Sequence, residues 1–505
     1  MLAKILSSSV MGVDGFAVNV EVDLPFGMPS FDIVGLPDTA VKESKERVRS
    51  AIKNCGFEFP MHKIIINLAP AYIRKEGAAY DLPIAAGILA ASEQVSGELL
   101  AKTMIVGEVA LDGKVRPING VLSMAQSAAA MGLEYFILPH ENLQEAAVVD
   151  GLHPVPVGDL REMERFLNGE WTPEATGDCW GENELEEYPD DFRDVRGHEH
   201  AKRALEIAAA GGHNVLFVGP PGSGKTMLAR RIPSILPPLT REEAMELSRI
   251  YSVAGMLPNG SSLLRQRPFR SPHHTISAAG LIGGGKIPRP GEVSLAHYGV
   301  LFMDEFPEFP REALESLRQP LEDGVVTISR AASALTYPAK VMLVASQNPC
   351  PCGYHGDPVK PCICTPLQIH RYRSRISGPL LDRIDIVVEV PRLRHEEIMS
   401  REEGESSSSI RKRVVAARNL QTQRLTGTGL HCNAHMGPKE IKCYCELGEP
   451  ERQLLSRAIQ SFNLSGRAYA RILRLARTIA DLAGEERIGI PHLAEALQYR
   501  YGEQH

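Results

Sequence analysis

The chain has 505 residues, of which 43% are hydrophobic and 23% are charged, as in an ordinary globular protein. This length is too great for a single hydrophobic core and predicts about two to four domains. The formal net charge of -7 excludes a uniformly basic surface, although an acidic protein can still carry a local basic stripe that binds phosphates.

The first residues and the hydropathy of the chain predict a cytoplasmic protein with no membrane partner. The opening segment, MLAKILSSSVMGVDGF, lacks the sustained apolar core of a targeting signal. No apolar run is long enough to cross a bilayer. In a reducing compartment, clustered cysteines indicate metal binding or redox chemistry rather than disulfides.

The order of elements along the chain predicts three sections and a linker. Residues 1–170 alternate β-rich runs with alanine-rich helical runs, and residues 171–192 form an acidic linker. Residues 193–392 repeat strand, loop and helix, which is typical of an α/β domain with a largely parallel sheet. Residues 393–505 begin with a polar, serine-rich surface loop and continue as helices. The strands predicted in the first section are FAVNVEVDL (16–24), HKIIINLAP (62–70), TMIVGEVAL (103–111) and YFILP (135–139), and its helices are 40–55 and 81–92.

Within the section 193–392, the most specific motif is GPPGSGKT at residues 219–226. It follows a buried strand, NVLFV, and precedes a helix, MLARRI, which is the context that a phosphate-binding loop requires. The backbone N–H groups of such a loop surround the phosphates of ATP, Lys225 adds a positive charge, and the Thr226 hydroxyl is a ligand for Mg²⁺. The residues predicted to bind the nucleotide are Gly219, Pro220, Pro221, Gly222, Ser223, Gly224, Lys225, Thr226 and Met227.

An acidic motif completes this predicted site. The hydrophobic run GVLFMDEF (299–306) ends in Asp304 and Glu305, about 80 residues after the phosphate loop. Asp304 is predicted to hold Mg²⁺ directly or through water. Glu305 is predicted to orient or deprotonate the water that attacks the γ-phosphate.

These motifs resemble those of magnesium-chelatase-like AAA+ ATPases, and more narrowly those of the ComM/YifB family. The resemblance is carried by PGEVSLAHYGVLFMDEFPEF (290–309), FRSPHHT (269–275) and ASQNPCPCGY (345–354), and it extends over nearly the full chain. It implies an α/β fold with an AAA+ P-loop NTPase core and a helical lid. An α+β Lon-protease-like domain of the S5 type is expected to precede this core.

The resemblance also assigns roles to three further residues. Asn348 is expected as the sensor-1 group beside the γ-phosphate, Arg383 as an arginine finger directed at a neighbouring subunit, and Arg467 as the sensor-2 arginine of the lid. For Arg383, an ion pair with Asp382 or Asp385 is the alternative. An arginine that acts on a neighbour implies a homo-oligomeric ring, expected to be a hexamer. The predicted catalytic residues are thus Glu305, Lys225, Asn348, Arg383 and Arg467.

Two further arginines of the predicted lid helix, Arg471 and Arg474, lie on the same helical face as Arg467. We interpret them as a solvated or phosphate-facing stripe rather than as groups with a direct role at ATP.

The insertion at 349–366 holds four of the nine cysteines, as two C-x-C pairs separated by nine residues: Cys350, Cys352, Cys362 and Cys364. Four thiolates can close a tetrahedral Zn²⁺ site, so the spacing predicts a structural zinc clip. Such a clip would present QIHRYRSR (368–375) as a basic surface for DNA or a subunit. The alternatives are an iron–sulfur cluster, four reduced thiols, or a partly kept site with His355 or His370 as a substitute ligand.

The section at 65–145 resembles the proteolytic domain of Lon, which uses a Ser–Lys dyad. The aligned turn, EGAAYDLP (76–83), carries Ala79 where the nucleophile should be, and the lysine position falls near Leu122. Without a hydroxyl or an amine there is no activated nucleophile, so a docking or ring-building platform is expected rather than a peptidase.

A long insertion, residues 251–292, separates the two ATP motifs, and the resemblance places it toward the pore of the ring. Its cations suit a phosphate backbone, and a surface hairpin with solvated cations is the alternative. Three glycines at 283–285 are expected to let the insertion move. The cations are Arg265, Arg267, Arg270, His273, His274, Lys286 and Arg289.

Together these features predict an ATPase with ATP, Mg²⁺ and structural Zn²⁺ that binds single-stranded or branched DNA. The resemblance implies that hydrolysis drives DNA translocation or branch migration, as in recombination during natural transformation. The alternatives are a chelatase-like or protein-remodelling ATPase that acts on a protein partner, and an ATP-dependent protease.

Overall fold

The computed structural model describes residues 2–173, 188–258, 260, 262–285, 288–329, 334–393, 403–462 and 465–499. These residues form two compact units. The first lies within Met1–Glu184 and Arg241–Leu264, and the second within Leu185–Thr240 and Arg265–His505. No described helix combines the length and the apolar composition that a membrane-crossing segment needs. The domain boundaries inferred from the sequence stay predictions.

The strands, in chain order from β1 to β18, are Leu2–Met11, Asp14–Asp23, Ser30–Val34, Lys63–Ala69, Thr103–Ile105, Glu108–Val109, Val115–Arg116, Tyr135–Pro139, His153–Val157, Val215–Val218, Phe269–Arg270, Gly283–Gly284, Arg289–Pro290, Val300–Met303, Val325–Ser329, Ala334–Pro338, Met342–Gln347 and Ile386–Glu389. The helices, from α1 to α19, are Thr39–Asn54, Asp81–Ala91, Val121–Ala130, Leu143–Ala146, Leu160–Leu167, Glu199–Gly211, Lys225–Ile235, Arg241–Ala254, Ala278–Ile282, Glu292–Leu295, Arg311–Ser316, Arg318–Asp323, Pro366–Arg373, Gly378–Leu381, Ser407–Arg424, Pro438–Tyr444, Glu449–Phe462, Gly466–Ala483 and Ile490–Gln498.

The first unit is built on a mixed seven-stranded sheet with the order β3-β4-β2-β1-β5-β8-β9. Strand β2 shows how the sequence makes this sheet, because its alternating valines Val18, Val20 and Val22 are all fully buried on one face. Helix α2, which is apolar on every side, packs against β1 and β2 and is buried along almost its whole length. The sheet and this helix form the core of the unit.

One predicted strand of this unit is interrupted. The run TMIVGEVAL forms β5 and β6 as separate short strands. Between them, the backbone N–H of Gly107 donates to the carbonyl of Ala79 at 2.9 Å, and the carbonyl of Gly107 accepts from the N–H of Leu82 at 3.0 Å. The chain therefore leaves the sheet to bond the turn that precedes α2.

Helix α8 belongs to the first unit although it follows the phosphate-loop helix in sequence. It packs on α3, and the carbonyl of Ser252 accepts from the N–H of Gly120, which precedes α3, at 3.1 Å. The Ser252 hydroxyl donates to Glu145 of α4 at 2.6 Å. Burial raises the pKa of Glu145. Residues 251–264 of the predicted insertion are therefore part of the first unit.

The second unit contains a five-stranded sheet with the order β11-β14-β17-β10-β18, in which every pair is parallel. The parallel α/β sheet predicted from the sequence is thus confirmed. The carboxyl ends of parallel strands share one edge of the sheet. Consequently the residues that directly follow β10, β14 and β17 meet at that edge.

The helices from α15 to α19 form the C-terminal part of this unit. The predicted serine-rich loop is partly helical, because the Ser406 side chain accepts from the N–H of Ser409 and α15 begins at Ser407. Residues 394–402 of that loop lie outside the described residues. Helix α18 begins after the capping residue Ser465 and ends at Ala483, with Gly484 as its C-terminal cap.

Candidate nucleotide-hydrolysis site

The phosphate loop connects β10 to α7, and its glycines are required by its backbone. Gly222 and Gly224 have φ angles of +73° and +90°, which L side chains rarely adopt. A Cβ atom at Gly219 would lie 2.1 Å from the carbonyl oxygen of Val390. Helix α7 begins at Lys225, so the N–H groups of its first turn are directed at the loop, as in an anion-binding site.

The side chain of Lys225 joins the loop to the neighbouring strand. Its ammonium donates to the carbonyls of Gly219 and Pro220, at 2.6 and 2.9 Å, and to Oδ1 of Asn348 at 3.3 Å. Burial lowers the pKa of Lys225 to about 8, and the carboxylates of Asp304 and Glu305 oppose this shift. The lysine therefore stays mainly protonated at neutral pH and carries the charge that a phosphate needs.

The oxygen groups beside this lysine fit Mg²⁺. The Thr226 hydroxyl donates to Oδ2 of Asp304 at 2.9 Å, and the Ser346 hydroxyl donates to the other carboxylate oxygen. A hydroxyl and a carboxylate are ligands that Mg²⁺ prefers. In addition, the Ser223 hydroxyl in the loop is buried without a hydrogen-bond partner, which suits an added polar ligand.

The remaining residues of the predicted nucleotide-binding set surround this centre. Pro221 is exposed at the tip of the loop, and Met227 packs partly buried against the core of the unit. The structure thus brings together Lys225, Thr226, Asp304 and Asn348. Their individual roles in hydrolysis stay predictions.

Glu305 has an unusual backbone conformation. Its φ and ψ angles are 53° and 46°, the left-handed region that residues other than glycine rarely occupy. Such strained residues are concentrated at functional sites. The carboxylate is half-exposed, and its Oε2 lies 3.2 Å from Nδ1 of His274. The sequence analysis placed His274 among the cations of the insertion and missed this contact, although His274 belongs to the quoted FRSPHHT motif.

Arg383 and Arg467 lie together in the second unit. Both line a cavity of about 580 Å³ in the second unit, and residues 219–226, all of which are described, do not line it. Nη1 of Arg383 donates to the carbonyl of Pro379 at 2.6 Å, and Nη2 forms an ion pair with Glu322. Arg467 is exposed.

The ion-pair alternative for Arg383 therefore involves a partner that sequence reasoning did not name. Asp382 is bound instead by Arg471, with the two atoms 3.0 Å apart, and Asp385 lies 3.3 Å from Nδ1 of the buried His213. Glu322 is far from Arg383 in sequence, and no local pattern links the two.

The interpretation of Arg471 as part of a solvated stripe is wrong. Its side chain is only 4% exposed and donates to the carbonyl of Ile384 at 2.9 Å as well as to Asp382. Arg474 donates to the carbonyl of Ala434. These arginines attach α18 to neighbouring backbone segments of the second unit, because the covered face of an amphipathic helix can bury a cation that is paired.

Several cations of the insertion are also engaged within the second unit. Arg267 donates to the carbonyls of Pro237 and Tyr298 at 2.6 and 2.7 Å. Arg270 forms two hydrogen bonds of 2.7 Å with Glu292. Arg289 is exposed on β13, and Arg265 is partly buried. Lys286 lies outside the described residues.

The basic segment that follows the cysteines is only partly a surface. Arg371 is exposed on α13 and Arg375 pairs with Glu308, but Tyr372 is buried, and burial raises the pKa of Tyr372 to about 12. Tyr372 is therefore not part of the surface that this segment was predicted to present to DNA or a subunit.

The four cysteines of the insertion converge. The sulfur atoms of Cys350, Cys352, Cys362 and Cys364 all lie within 4.8 Å of one another. The three closest pairs are 3.3, 3.5 and 3.7 Å apart, near the roughly 3.8 Å between sulfurs of a tetrahedral site with Zn–S bonds of about 2.3 Å. Backbone N–H groups of Ile363 and Tyr354 lower the pKa of Cys352 to about 6, whereas burial and the neighbouring sulfur atoms raise the pKa of Cys364. Within the described residues, neither His355 nor His370 belongs to this cluster.

This geometry suits zinc, and we expect the purified protein to contain about one zinc per chain. Replacing Cys362 with serine is expected to remove the metal and to lower the unfolding temperature, because metal-binding free energy stabilises the folded insertion. Inductively coupled plasma mass spectrometry and differential scanning fluorimetry measure the two effects. Cys443→Ser is the matched control, because Cys443 is exposed and lies outside the cluster. Iron in place of zinc, or equal metal content in both variants, would contradict the expectation.

The turn that resembles the nucleophile turn of Lon precedes α2. The carbonyl of Ala79 accepts a hydrogen bond from Gly107, and Leu122 is fully buried in α3. Neither side chain has a group that can act as a nucleophile or a base.

Comparisons with known proteins identify relatives of the chain along its whole length. Three family profiles match the chain. The profile described as magnesium chelatase, subunit ChlI, matches residues 191–398. The profile described as subunit ChlI of Mg-chelatase matches residues 20–142, and the profile of the ChlI C-terminal part matches residues 404–500. The chain is 44% identical over 508 residues to Competence protein ComM of Haemophilus influenzae, covering 99% of this chain and 97% of that protein. It is also 44% identical over 505 residues to YifB of Escherichia coli, with the same coverage of 99% and 97%.

A partial similarity to Lon proteases fits the Lon-like domain expected at the N-terminus. Over 157 residues the chain is 32% identical to Lon protease 2 of Bacillus subtilis, which covers 28% of this chain and 27% of that protein. The full-length similarity, the three profile matches and the phosphate loop with its acidic partner lead to one assignment. The chain belongs to the ComM/YifB family of magnesium-chelatase-like AAA+ ATPases.

Proposed function

We propose that this ATPase forms a ring, hydrolyses ATP at the seams between protomers, and uses the energy to translocate on DNA or to drive branch migration. The observation that carries the ring is the surroundings of the two arginines within one chain. Arg383 and Arg467 share a cavity that the loop does not line. If both act on ATP, they act on the nucleotide of a neighbour, as heterologous contacts in a closed ring allow.

In this proposal the residues of one protomer bind and orient the substrate. The P-loop N–H groups and Lys225 hold the β- and γ-phosphates, Asn348 orients the γ-phosphate, and Glu305 accepts a proton from the attacking water. Mg²⁺, held by Thr226 and Asp304, would supply charge neutralisation at the phosphate oxygens. The arginines of the neighbour stabilise the negative charge that develops during transfer.

The proposal of DNA as the partner is supported by the printed name of the Haemophilus relative, a competence protein, and by its similarity along the full chain. Arg289, which is exposed on a glycine-flanked hairpin, offers a cation for a phosphate backbone. The internal pairing of Arg267 and Arg270 leaves fewer cations for this task than the composition of the insertion implies. That pairing favours the second candidate, an ATPase that remodels a protein partner.

We expect DNA to stimulate ATP hydrolysis by wild-type protein, and branched DNA to stimulate it more than duplex DNA. The measurement is the steady-state phosphate release rate with single-stranded, duplex and four-way-junction DNA, each at low and at moderate salt, because phosphate contacts weaken as salt rises. Glu305→Gln serves as the control for contaminating ATPases. A rate that is unchanged by all three DNA forms would reject DNA and leave the protein-remodelling function.

A further inference from the structure

The backbone that carries Arg383 is held by side chains from other parts of the second unit. Arg383 is the central residue of the segment 381–385, which runs from the end of α14 to the start of β18. The carbonyl of Arg383 accepts a hydrogen bond of 2.8 Å from Nδ2 of Asn214, the residue that precedes β10. The N–H of Asp385 donates to the carbonyl of Asn214 at 3.0 Å. Asn214 therefore fixes the segment to the parallel sheet.

A single guanidinium binds the residues that flank Arg383. Nη1 of Arg471 donates to the carbonyl of Ile384 at 2.9 Å and to the carbonyl of Leu381 at 3.3 Å. Nη2 of Arg471 donates to Oδ1 of Asp382 at 3.0 Å. These three acceptors lie before and after Arg383 in the chain, so the contacts of Arg471 span the position from which Arg383 projects.

The chemistry of these contacts requires an arginine. The side chain of Arg471 is only 4% exposed, and a cation at such depth is costly unless it is paired. A guanidinium is planar and has five N–H donors in fixed directions, which allows it to bind two carbonyls and a carboxylate together. Lysine has a compact ammonium and does not reproduce this geometry.

The helix that carries Arg471 also carries Arg467. The two residues are four positions apart on α18, which is about one turn and about 6 Å along the helix axis. Arg383, Arg467 and Arg471 line the same cavity of about 580 Å³. Arg471 therefore connects the backbone of Arg383 to the helix that presents the second arginine of the proposed seam.

We propose that Arg471 is a positioning residue that sets Arg383 for its action on the nucleotide of a neighbour. It acts through the segment 381–385 and not by contact with ATP. This inference rests on the proposed function, because it takes Arg383 as the group that stabilises the transition state across a seam. Such a group must be placed accurately, since a displacement of about 1 Å can lower a rate by about 10²-fold.

Replacing Arg471 with lysine is expected to lower kcat for ATP hydrolysis about 10- to 100-fold, because an ammonium leaves part of the segment 381–385 unheld. KM for ATP should stay within about twofold of wild type, because a contact made only in the transition state does not contribute to the binding of ATP. The phosphate release rate over a range of ATP concentrations measures both constants.

Arg474→Lys is the matched control. Arg474 lies on the same helix and lines the same cavity, but its guanidinium donates to the carbonyls of Ala434 and Ala470, outside the segment 381–385. We expect Arg474→Lys to keep a kcat close to that of wild type.

A double variant separates positioning from a general loss of structure. If Arg471 acts through Arg383, its replacement causes no further loss in a chain that already lacks the Arg383 side chain. We therefore expect Arg383→Ala combined with Arg471→Lys to cleave γ-labelled ATP in a single turnover at the rate of Arg383→Ala alone, within about twofold. A general structural defect would lower the rate by the same factor in both backgrounds.

The outcomes separate this inference from the proposed function. A loss of activity in Arg383→Ala together with the wild-type kcat in Arg471→Lys overturns the inference and leaves the arginine finger intact. A further loss in the double variant, or an equal loss in Arg474→Lys, also overturns the inference. Wild-type activity in Arg383→Ala rejects the arginine finger itself, and the inference with it.

Discussion

Replacing Arg383 with alanine is expected to lower the rate of ATP hydrolysis by about 10³-fold or more, the size of effect seen when an arginine finger is lost. The physical reason is that a guanidinium beside the transferring phosphoryl group stabilises charge that exists only in the transition state. Lysine at this position should restore little, because it cannot reproduce the two parallel hydrogen bonds of a guanidinium. The phosphate release rate at saturating ATP measures both variants.

The position of Arg383 supplies a control for a purely structural effect. In the described chain its guanidinium is paired with Glu322. If that ion pair were the whole contribution of Arg383, then Glu322→Gln would impair hydrolysis as strongly as Arg383→Ala. We expect Glu322→Gln to keep most of the activity, because the Glu322 side chain is 59% exposed and a solvent-exposed carboxylate contributes only about 0.2–1 kcal/mol to an ion pair.

Mixing two inactive variants tests whether Arg383 acts on a neighbour. A seam between an Arg383→Ala protomer that supplies Glu305 and a Glu305→Gln protomer that supplies Arg383 is complete. In rings assembled at random from equal amounts, about one quarter of the seams have this arrangement, and the mixture should recover a corresponding share of wild-type activity. No recovery after co-assembly would mean that both residues act within one protomer or not at all.

The sequence predicted the centre of the candidate site well because that centre depends on local patterns. Three short apolar runs are followed directly by GPPGSGKT (219–226), by Asp304 and Glu305, and by Gln347 and Asn348. A parallel sheet places the carboxyl ends of such runs at one edge. The observed contacts of Lys225 with Asn348, and of Thr226 with Asp304, follow from that topology. The four cysteines converge for a similar reason, since each C-x-C pair is local and a short loop joins the pairs.

Tertiary contacts account for what sequence reasoning missed. The i+4 spacing of Arg467 and Arg471 assigns both to one helix face, but it does not say that only Arg471 is covered by the backbone near Ile384. Nothing in helix α8 indicates that it packs on α3 rather than beside the helix that precedes it. The partners of Arg383 and Glu305, which are Glu322 and His274, are brought in by strand pairing and helix packing from distant parts of the sequence.

Replacing Glu305 with glutamine is expected to lower ATP hydrolysis by about 10²–10⁴-fold, the usual contribution of a general base. Nucleotide binding should be retained, because the contacts assigned to the phosphates come from Lys225 and the loop. Isothermal titration calorimetry with ATP and the phosphate release rate measure the two properties. Loss of binding in parallel with hydrolysis would place Glu305 among the nucleotide-holding groups instead.

The backbone at Glu305 extends this prediction to stability. Its left-handed conformation costs an ordinary residue about 1 kcal/mol or more, whereas asparagine tolerates that region better. Glu305→Asn should therefore be as inactive as Glu305→Gln and yet unfold at a higher temperature in calorimetry. The same pair of substitutions at Glu308, which lies in the same turn but not at a positive φ, should show no such advantage for asparagine. If asparagine gives a more stable protein than glutamine at residue 305 but not at residue 308, the chain keeps a strained glutamate for its chemistry at a cost in stability. Equal stability of the two Glu305 variants would refute this.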